Sequence, residues 1–169
     1  GVEDRHPAFS GTGKVLPGAC FSTPSRGGLG FCPVGTADTS SSDAGRSCMA
    51  KLGNGTLAVG AGCGHGTSMA ATAAMAYANA SVSAGGVAKA AAILPVQVFN
   101  GANARGRVGI SANSGDLLRG IEWVTAQAQE RKAANLVPIV ALNISLGGGA
   151  YIAACDNQYV GSLFYTAFK

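Results

Sequence analysis

The stretch Gly115-Asp-Leu-Leu-Arg-Gly-Ile-Glu-Trp-Val-Thr-Ala-Gln-Ala-Gln-Glu-Arg-Lys132 decides the fold class of this chain. Its apolar residues recur at the spacing of one helical face: Leu117, Leu118, Ile121, Val124 and Ala128. Ser114 is a suitable N-cap, and Asp116 suits the positive N-terminal end of a helix. The pattern predicts an amphipathic helix over residues 115–132.

Two apolar runs flank this helix. Ala90-Ala-Ala-Ile-Leu-Pro-Val-Gln-Val-Phe99 precedes it, and Val137-Pro-Ile-Val-Ala-Leu-Asn-Ile-Ser145 follows it. Both runs favour strands of a parallel sheet that is covered on both faces, joined by a right-handed crossover. The sequence therefore predicts an α/β fold. Ligands bind beyond the carboxyl ends of such strands, so we look for chemistry after Phe99 and around Ser145–Gly149.

The rest of the chain divides into an irregular N-terminal segment and the remainder of the predicted core. Residues 1–62 read as an irregular, Cys-rich segment with a few short strands, of which Thr56–Val59 is a candidate, whereas residues 63–169 hold the βαβ portion of the core. The Ala- and Met-rich stretch Thr67–Ala80 favours a helix. The Gly-, Asn- and Ser-rich stretch Asn100–Gly115 favours a loop.

Composition excludes several classes of function. Charged residues are 12% of the 169 residues, about half of the usual ~25%, and hydrophobic residues are 47%, so a disordered chain is not expected. The net charge of +4 is spread along the chain, so nothing indicates nucleic-acid binding. No apolar run reaches the ~18 residues that a membrane-spanning helix needs, so no such helix is expected.

The cysteines indicate a compartment. Five occur, at Cys20, Cys32, Cys48, Cys63 and Cys155. A long loop-like stretch needs cross-links, so two disulfides are favoured, with the pairing left open; the alternative is buried free thiols. Disulfides predict a secreted, periplasmic or cell-surface protein.

The segment Gly64-His-Gly-Thr-Ser-Met-Ala70 carries the most distinctive chemistry. An imidazole that opens a helix between glycines lies at an accessible edge of the fold. Histidine as a residue type suits general acid–base catalysis. The alternative is an ordinary surface or core histidine. The other histidine, His6, precedes Pro7 in a turn-like stretch and is interpreted as structural.

Further motifs follow His65 in a fixed order: Gly86-Val-Ala88, Val96-Gln-Val-Phe99, Gly120-Ile-Glu-Trp123 and Asn143-Ile-Ser-Leu-Gly-Gly148. This series resembles the subtilisin-like serine proteases, or subtilases, in which His-Gly-Thr carries the triad histidine. Gly1-Val2, His6-Pro7 and Phe9 look like the continuation of the Asp-Thr-Gly-Val strand end of that family.

The resemblance implies a doubly wound, mainly parallel sheet with helices on both faces and a Ser-His-Asp mechanism. His65 would be the general base. The triad aspartate would lie two positions before Gly1 and the nucleophile after Lys169. We therefore expect residues 1–169 to be the N-terminal part of a peptidase domain, inactive by itself; a complete small domain is the alternative.

The resemblance also implies where the substrate binds. Ser145, Leu146, Gly147 and Gly148 match the segment that pairs with a polypeptide substrate bound as an edge strand. A second pairing segment is expected at Arg105–Gly109. No cofactor is required for the chemistry. Structural Ca²⁺ is implied by the family alone, and no site is assigned because residues 66–115 contain no carboxylate.

Alternatives to this interpretation remain. Gly66-Thr-Ser-Met-Ala70 also looks like the nucleophile motif of the family, which would make Ser68 catalytic, although Thr72 replaces the proline expected there. The chain could also come from an inactive pseudoprotease that serves as a binding or scaffold module. An unrelated Gly- and Ala-rich module whose motifs coincide is the third alternative.

Overall fold

The computed structural model describes residues 1–24, 28–47, 62–75, 85–104 and 107–147. Within these ranges the strands are β1 (Ala19–Phe21), β2 (Leu29–Gly30), β3 (Ala37–Asp38), β4 (Val96–Gln97), β5 (Phe99–Ala104) and β6 (Arg107–Ala112), and the helices are α1 (His65–Ala74) and α2 (Ser114–Ala133). The chain divides into two compact units, with the boundary after Leu117. The candidate strand Thr56–Val59 lies outside the described residues.

The first sheet has the strand order β3-β1-β4. β1 runs parallel to β4, with Ala19 opposite Val96, and a bridge between Val15 and Ile93 continues this parallel alignment. β3 pairs with β1 in the antiparallel direction. The strand predicted at residues 90–99 is thus present in part, with a parallel partner. The described sheets are small and mixed, so the doubly wound arrangement stays a prediction.

The second sheet corrects the prediction of a loop at residues 100–115. β5 and β6 form an antiparallel hairpin in which Phe99 lies opposite Ala112 and Ala104 opposite Arg107, and β2 pairs with the other side of β5. The pairing of β5 with β6 extends as far as Ala104 and Arg107, which only two residues separate in the sequence. The Gly- and Asn-rich composition suggested a loop, but cross-strand pairing with two neighbours outweighs that local preference.

Helix α1 begins earlier and ends earlier than the predicted helix 67–80. Met75 already has an extended backbone (φ −57°, ψ 126°). Three amides from a later segment donate to carbonyls at this end of the helix: Gly86 to Met75 at 2.8 Å, Val87 to Thr72 at 3.0 Å and Ala88 to Ala73 at 2.8 Å. Because these bonds satisfy carbonyls that no helical amide reaches, they end the helix. Residues 76–80 lie outside the described ranges.

Helix α2 confirms the predicted helix 115–132 to within one residue at each end. The carbonyl of Asn113 accepts from the amide of Leu117 at 3.0 Å, so the N-cap is Asn113 and not Ser114. Ile121 and Val124, on the predicted apolar face, are buried.

The predicted strand 137–145 is not formed. Residues 137–147 make no strand pairing, and their apolar side chains are largely exposed: 74% for Val137, 86% for Val140 and 47% for Leu142. The βαβ unit is therefore incomplete. A strand exists only where a partner satisfies its backbone groups, and an apolar pattern cannot supply that partner.

The core of the first unit forms where the N-terminal segment meets α1. Val2, Ala8, Phe9 and Ala70 are buried together, and the partly buried side chains Val15, Ala71, Met75 and Ile93 pack against them. The two described helices include none that is long and apolar enough to cross a membrane.

Candidate active site

A tight turn delivers His65 to the start of α1. Gly62 has φ +105°, a value that side chains rarely tolerate, and its carbonyl accepts from the amide of His65 at 3.0 Å. Gly64 occupies the N-cap without a side-chain cap. His65 is the first helical residue and is exposed. Its imidazole can therefore reach solvent, as general base chemistry requires.

The two residues after His65 anchor this turn to the N-terminal segment. A Cβ on Gly66 would overlap the carbonyl of Gly1, so only glycine permits this close approach. The hydroxyl of Thr67 accepts a hydrogen bond from the amide of Glu3 at 2.9 Å, and Thr67 is 6% exposed. The Gly-Thr part of the motif therefore fixes the helix, while the histidine stays accessible.

A small cavity adjoins His65. Its volume is about 20 Å³, and it is lined by Gly1, Gly62, Cys63, His65, Gly66, Gln97, Phe99 and Ile110. A cavity of this size has room for about one water molecule or one methyl group and is too small for a large side chain. Gln97 is the last residue of β4. His65 thus lines the same cavity as the last residue of β4, a strand that has a parallel partner.

Sequence reasoning missed Ile110. It lies on β6, opposite Gly101 of β5, and a Cβ on Gly62 would come within 2.9 Å of its Cδ1 atom. The hairpin therefore delivers an apolar side chain to the turn before His65. The alternation Val108-Gly109-Ile110 was a strand signal that the surrounding glycines and asparagines obscured.

The predicted substrate-pairing residues lie in the other compact unit. Ser145 and Leu146 are half-buried and Gly147 is exposed; the Nδ2 atom of Asn143 donates to the Ser145 hydroxyl at 3.0 Å. Gly148 lies outside the described residues. Since His65 belongs to the unit that ends at Leu117, the joint action of these residues with His65 stays a prediction.

Ser68 and His6 have local hydrogen bonds. Ser68 is exposed on α1, and its hydroxyl donates to the carbonyl of Gly64 at 3.1 Å, one turn back along the helix. The Nδ1 atom of His6 accepts from the amide of Ala8 at 3.2 Å. The second contact closes a turn, in keeping with the structural interpretation of His6.

A cluster of charged side chains between the N-terminal segment and Arg46 is another feature that sequence reasoning missed. Arg46 is 8% exposed, and three carboxylates surround its guanidinium: Glu3 at 2.6 Å, Asp4 at 3.0 Å and Asp43 at 3.3 Å. The contact with Asp4 is an ion pair without hydrogen-bond alignment. The carboxylates do not fit a calcium ion, because a guanidinium occupies the space between them.

Burial and charge act against each other in this cluster. Burial alone would raise the pKa of Glu3, but the hydrogen bond from Arg46 and its positive charge, together with the amide of Arg5, hold that pKa below its usual value. Burial likewise opposes the charge on Arg46, and its carboxylate partners raise its pKa above the ordinary value. The ion pairs are therefore complete at neutral pH.

Three cysteines of the first unit form disulfide bonds. Cys20 and Cys32 are joined, and Cys63, two residues before His65, is also disulfide-bonded. Cys48 and Cys155 lie outside the described residues. The prediction of disulfides is confirmed for this part of the chain.

Comparison with known proteins then decides the family. The family model of the subtilases, Peptidase S8, matches residues 1–165. The chain belongs to the subtilase family. No curated protein and no solved structure gives a significant match. Family membership rules out the alternative that the chain is an unrelated Gly- and Ala-rich module, and it supports an α/β fold. The activity of the family is serine-peptidase chemistry on polypeptides.

Proposed function

We propose that this subtilase chain is part of a secreted serine endopeptidase in which His65 is the general base. The observation that carries the proposal is the position of His65. It is exposed at the start of α1 and lines a cavity with the last residue of β4, in a chain that the subtilase family model matches over residues 1–165. An imidazole there can take a proton from a serine hydroxyl and return it to the leaving amine.

The rest of the triad is proposed to come from the intact protein. By the motif order, the aspartate precedes Gly1 and the nucleophile follows Lys169. The aspartate would hold the imidazole in the productive tautomer, and the serine would attack the scissile carbonyl. No cofactor enters this chemistry. Structural calcium is proposed at the level of the family only, and no site is assigned to it; the residues that the structure describes contain no cluster of acidic, histidine or cysteine side chains that could hold a metal ion.

The substrate is proposed to be an extended polypeptide that adds to the open edge of β6. β6 is terminal in the described sheet order β2-β5-β6. Antiparallel pairing alternates between residues that bond to the partner strand and residues that face away from it. With Ala104 opposite Arg107, the backbone groups of Val108, Ile110 and Ala112 are proposed to face away from β5. An added strand can pair with those groups of β6. Ser145–Gly148 are proposed, from the family resemblance, as a further substrate-pairing segment.

The disulfides support the proposed compartment. Subtilases are often secreted, and cross-links such as Cys20–Cys32 persist in oxidising surroundings. We therefore propose a secreted, periplasmic or cell-surface location, with polypeptides as the partners and with neither nucleic acid nor a membrane span involved.

The test is His65→Ala in the intact protein, assayed on an unfolded protein substrate. We expect kcat to fall by at least ~10⁴-fold, because removal of a triad member disables the proton transfer. His6→Ala is the matched control and should stay within about threefold of wild type, as exposed substitutions usually do. Turnover close to wild type in His65→Ala would overturn the assignment.

The same assay separates the alternatives. Ser68→Ala should retain activity if the nucleophile lies elsewhere, whereas its inactivity together with loss of labelling by a fluorophosphonate would favour the Ser68 alignment. Wild-type intact protein that neither cleaves peptides nor reacts with the fluorophosphonate would be the pseudoprotease.

A further inference from the structure

A side-chain hydrogen bond ties the first turn of α1 to the N-terminal segment. The hydroxyl of Thr67 accepts from the amide of Glu3 at 2.9 Å, across 64 positions of sequence. Thr67 is 6% exposed, so water does not compete freely for this bond. Thr67 stands two residues after His65 on a rigid helix, and a shift of Thr67 therefore moves the imidazole with it.

The other end of this bond is also held. The side chain of Glu3 meets the guanidinium of Arg46 at 2.6 Å, and Arg46 is 8% exposed. The carbonyl of Arg46 in turn accepts from the Nε2 atom of Gln97 at 3.2 Å. Gln97 ends β4 and lines the cavity beside His65. The path therefore leads from the histidine helix through Glu3 and Arg46 back to the strand beneath the site.

The contact between Glu3 and Arg46 is the strongest on this path. A charged hydrogen bond at this distance, between groups mostly out of solvent, is shorter and stronger than a neutral one. The planar guanidinium can hold Glu3 while it also faces Asp4 and Asp43, a task that a lysine ammonium performs less well. The amide of Glu3 is thereby held at one position relative to β4.

We propose that Thr67 and Arg46 are positioning residues for His65. The Thr67 hydroxyl sets the helix against Glu3, and Arg46 sets Glu3 against β4. This inference rests on the proposed role of His65 as general base. Its consequence is kinetic, since a displacement of about 1 Å of a catalytic group can cost on the order of 100-fold in rate.

The first experiment compares Thr67→Val with Thr67→Ser in the intact protein. Valine keeps the shape of threonine and removes the acceptor, whereas serine keeps the acceptor. We expect Thr67→Val to lower kcat by about 10- to 100-fold with KM within about twofold, and Thr67→Ser to recover most of the loss. An unchanged kcat in Thr67→Val, or an equal loss in both variants, would contradict the proposal.

The second experiment asks whether Arg46 acts through the same path. Arg46→Met and Thr67→Val are combined, and we expect the double variant to lose little more kcat than the more damaged single variant, because both break one path. Multiplicative losses would show that the two residues act separately. Arg46→Lys should restore part of the activity that Arg46→Met removes.

A spectroscopic readout separates this inference from the proposed function. Ring resonances of His65 in a long-range ¹H–¹⁵N spectrum should move in Thr67→Val and return in Thr67→Ser, while those of His6 stay in place. If the His65 resonances respond but His65→Ala remains active, the positioning holds and the proposed function fails. If His65→Ala is inactive but the resonances do not respond, the positioning fails alone.

Discussion

At the scale of single residues, Arg46 shows how a buried charge is made tolerable. Removing a guanidinium from water is costly, and the cost is offset only if several acceptors surround it. Glu3, Asp4 and Asp43 come from two segments far apart in sequence, so the cluster also joins those segments. Losing one partner would leave the remaining charges unbalanced in a partly dry site.

The lowered pKa of Glu3 predicts acid sensitivity. A carboxyl whose folded pKa lies below its unfolded value of about 4.5 contributes stability above that value, and the contribution is lost as the pH falls through the lowered pKa. We expect Glu3→Gln to be less stable than wild type at pH 7 and to converge with it as the pH falls below 4.5. Urea unfolding as a function of pH measures this.

The control for that prediction is Glu122→Gln, which changes an exposed carboxylate on α2. Its stability curve should run parallel to that of wild type. If the free energy of unfolding of Glu3→Gln also follows that of wild type at a constant difference down to strongly acidic pH, the Glu3–Arg46 ion pair contributes nothing to folding.

At the scale of elements, the C-terminal end of α1 is capped by a segment that lies later in the chain. The amides of Gly86, Val87 and Ala88 bond to its last carbonyls, and a Cβ on Gly86 would lie 2.5 Å from the amide nitrogens of Ala74 and Met75. The Gly-Val-Ala motif therefore serves as the C-terminal cap of the helix that carries His65. Its glycine is required by contact rather than by an unusual φ.

Two adjacent glycines test this cap. Gly86→Ala should lower the free energy of unfolding by about 1–3 kcal/mol, because the methyl group must push the segment away from α1. Gly85→Ala should be nearly neutral, since its Cβ would meet only the flexible end of the Lys89 side chain. Chemical denaturation of both variants gives the comparison, and an equal loss in both would refute the cap.

The C-terminal end of α2 is capped by the residues that directly follow it. The amides of Leu136 and Asn135 donate to the carbonyls of Arg131 and Lys132 at 2.9 and 3.2 Å, and Asn135 has φ +53°. This is a Schellman arrangement, in which asparagine takes the left-handed position. Asp116, 1% exposed, accepts from the amide of Thr23 at 2.7 Å and so joins the other end of the helix to the segment after β1.

At the scale of the molecule, the described chain combines a consolidated core with an exposed apolar segment. Val98 is 8% exposed, whereas Val140 is 86% exposed on the unpaired stretch after α2. Burial, rather than residue type, decides what each valine contributes to folding. The same substitution at both positions therefore separates the two environments.

Val140→Asp in the 169-residue chain should change the free energy of unfolding by no more than about 0.5 kcal/mol, whereas Val98→Asp should prevent folding or cost several kcal/mol. Circular dichroism melts measure both. A large loss of stability in Val140→Asp would contradict this and would favour the buried strand that the apolar pattern of residues 137–145 predicts.

Much of the local structure could be predicted from the residues. Helix α2 is determined by apolar spacing and terminal residues that act within one turn, so its bounds were predicted to within one residue. The order of motifs was enough to indicate the subtilase family, which the family comparison confirms. His65 was singled out from its glycine neighbours, and its role as general base stays a prediction.

Tertiary structure alone decided the rest. The hairpin of β5 and β6, the end of α1 at Ala74 and the absence of pairing at residues 137–147 depend on which segments meet, because strands and helix ends are completed by distant hydrogen-bond partners. The Arg46 cluster and the approach of Ile110 to the turn before His65 likewise arise from contacts across long stretches of chain. Helical order is local and can be read along a sequence, whereas pairing and burial are properties of the folded whole.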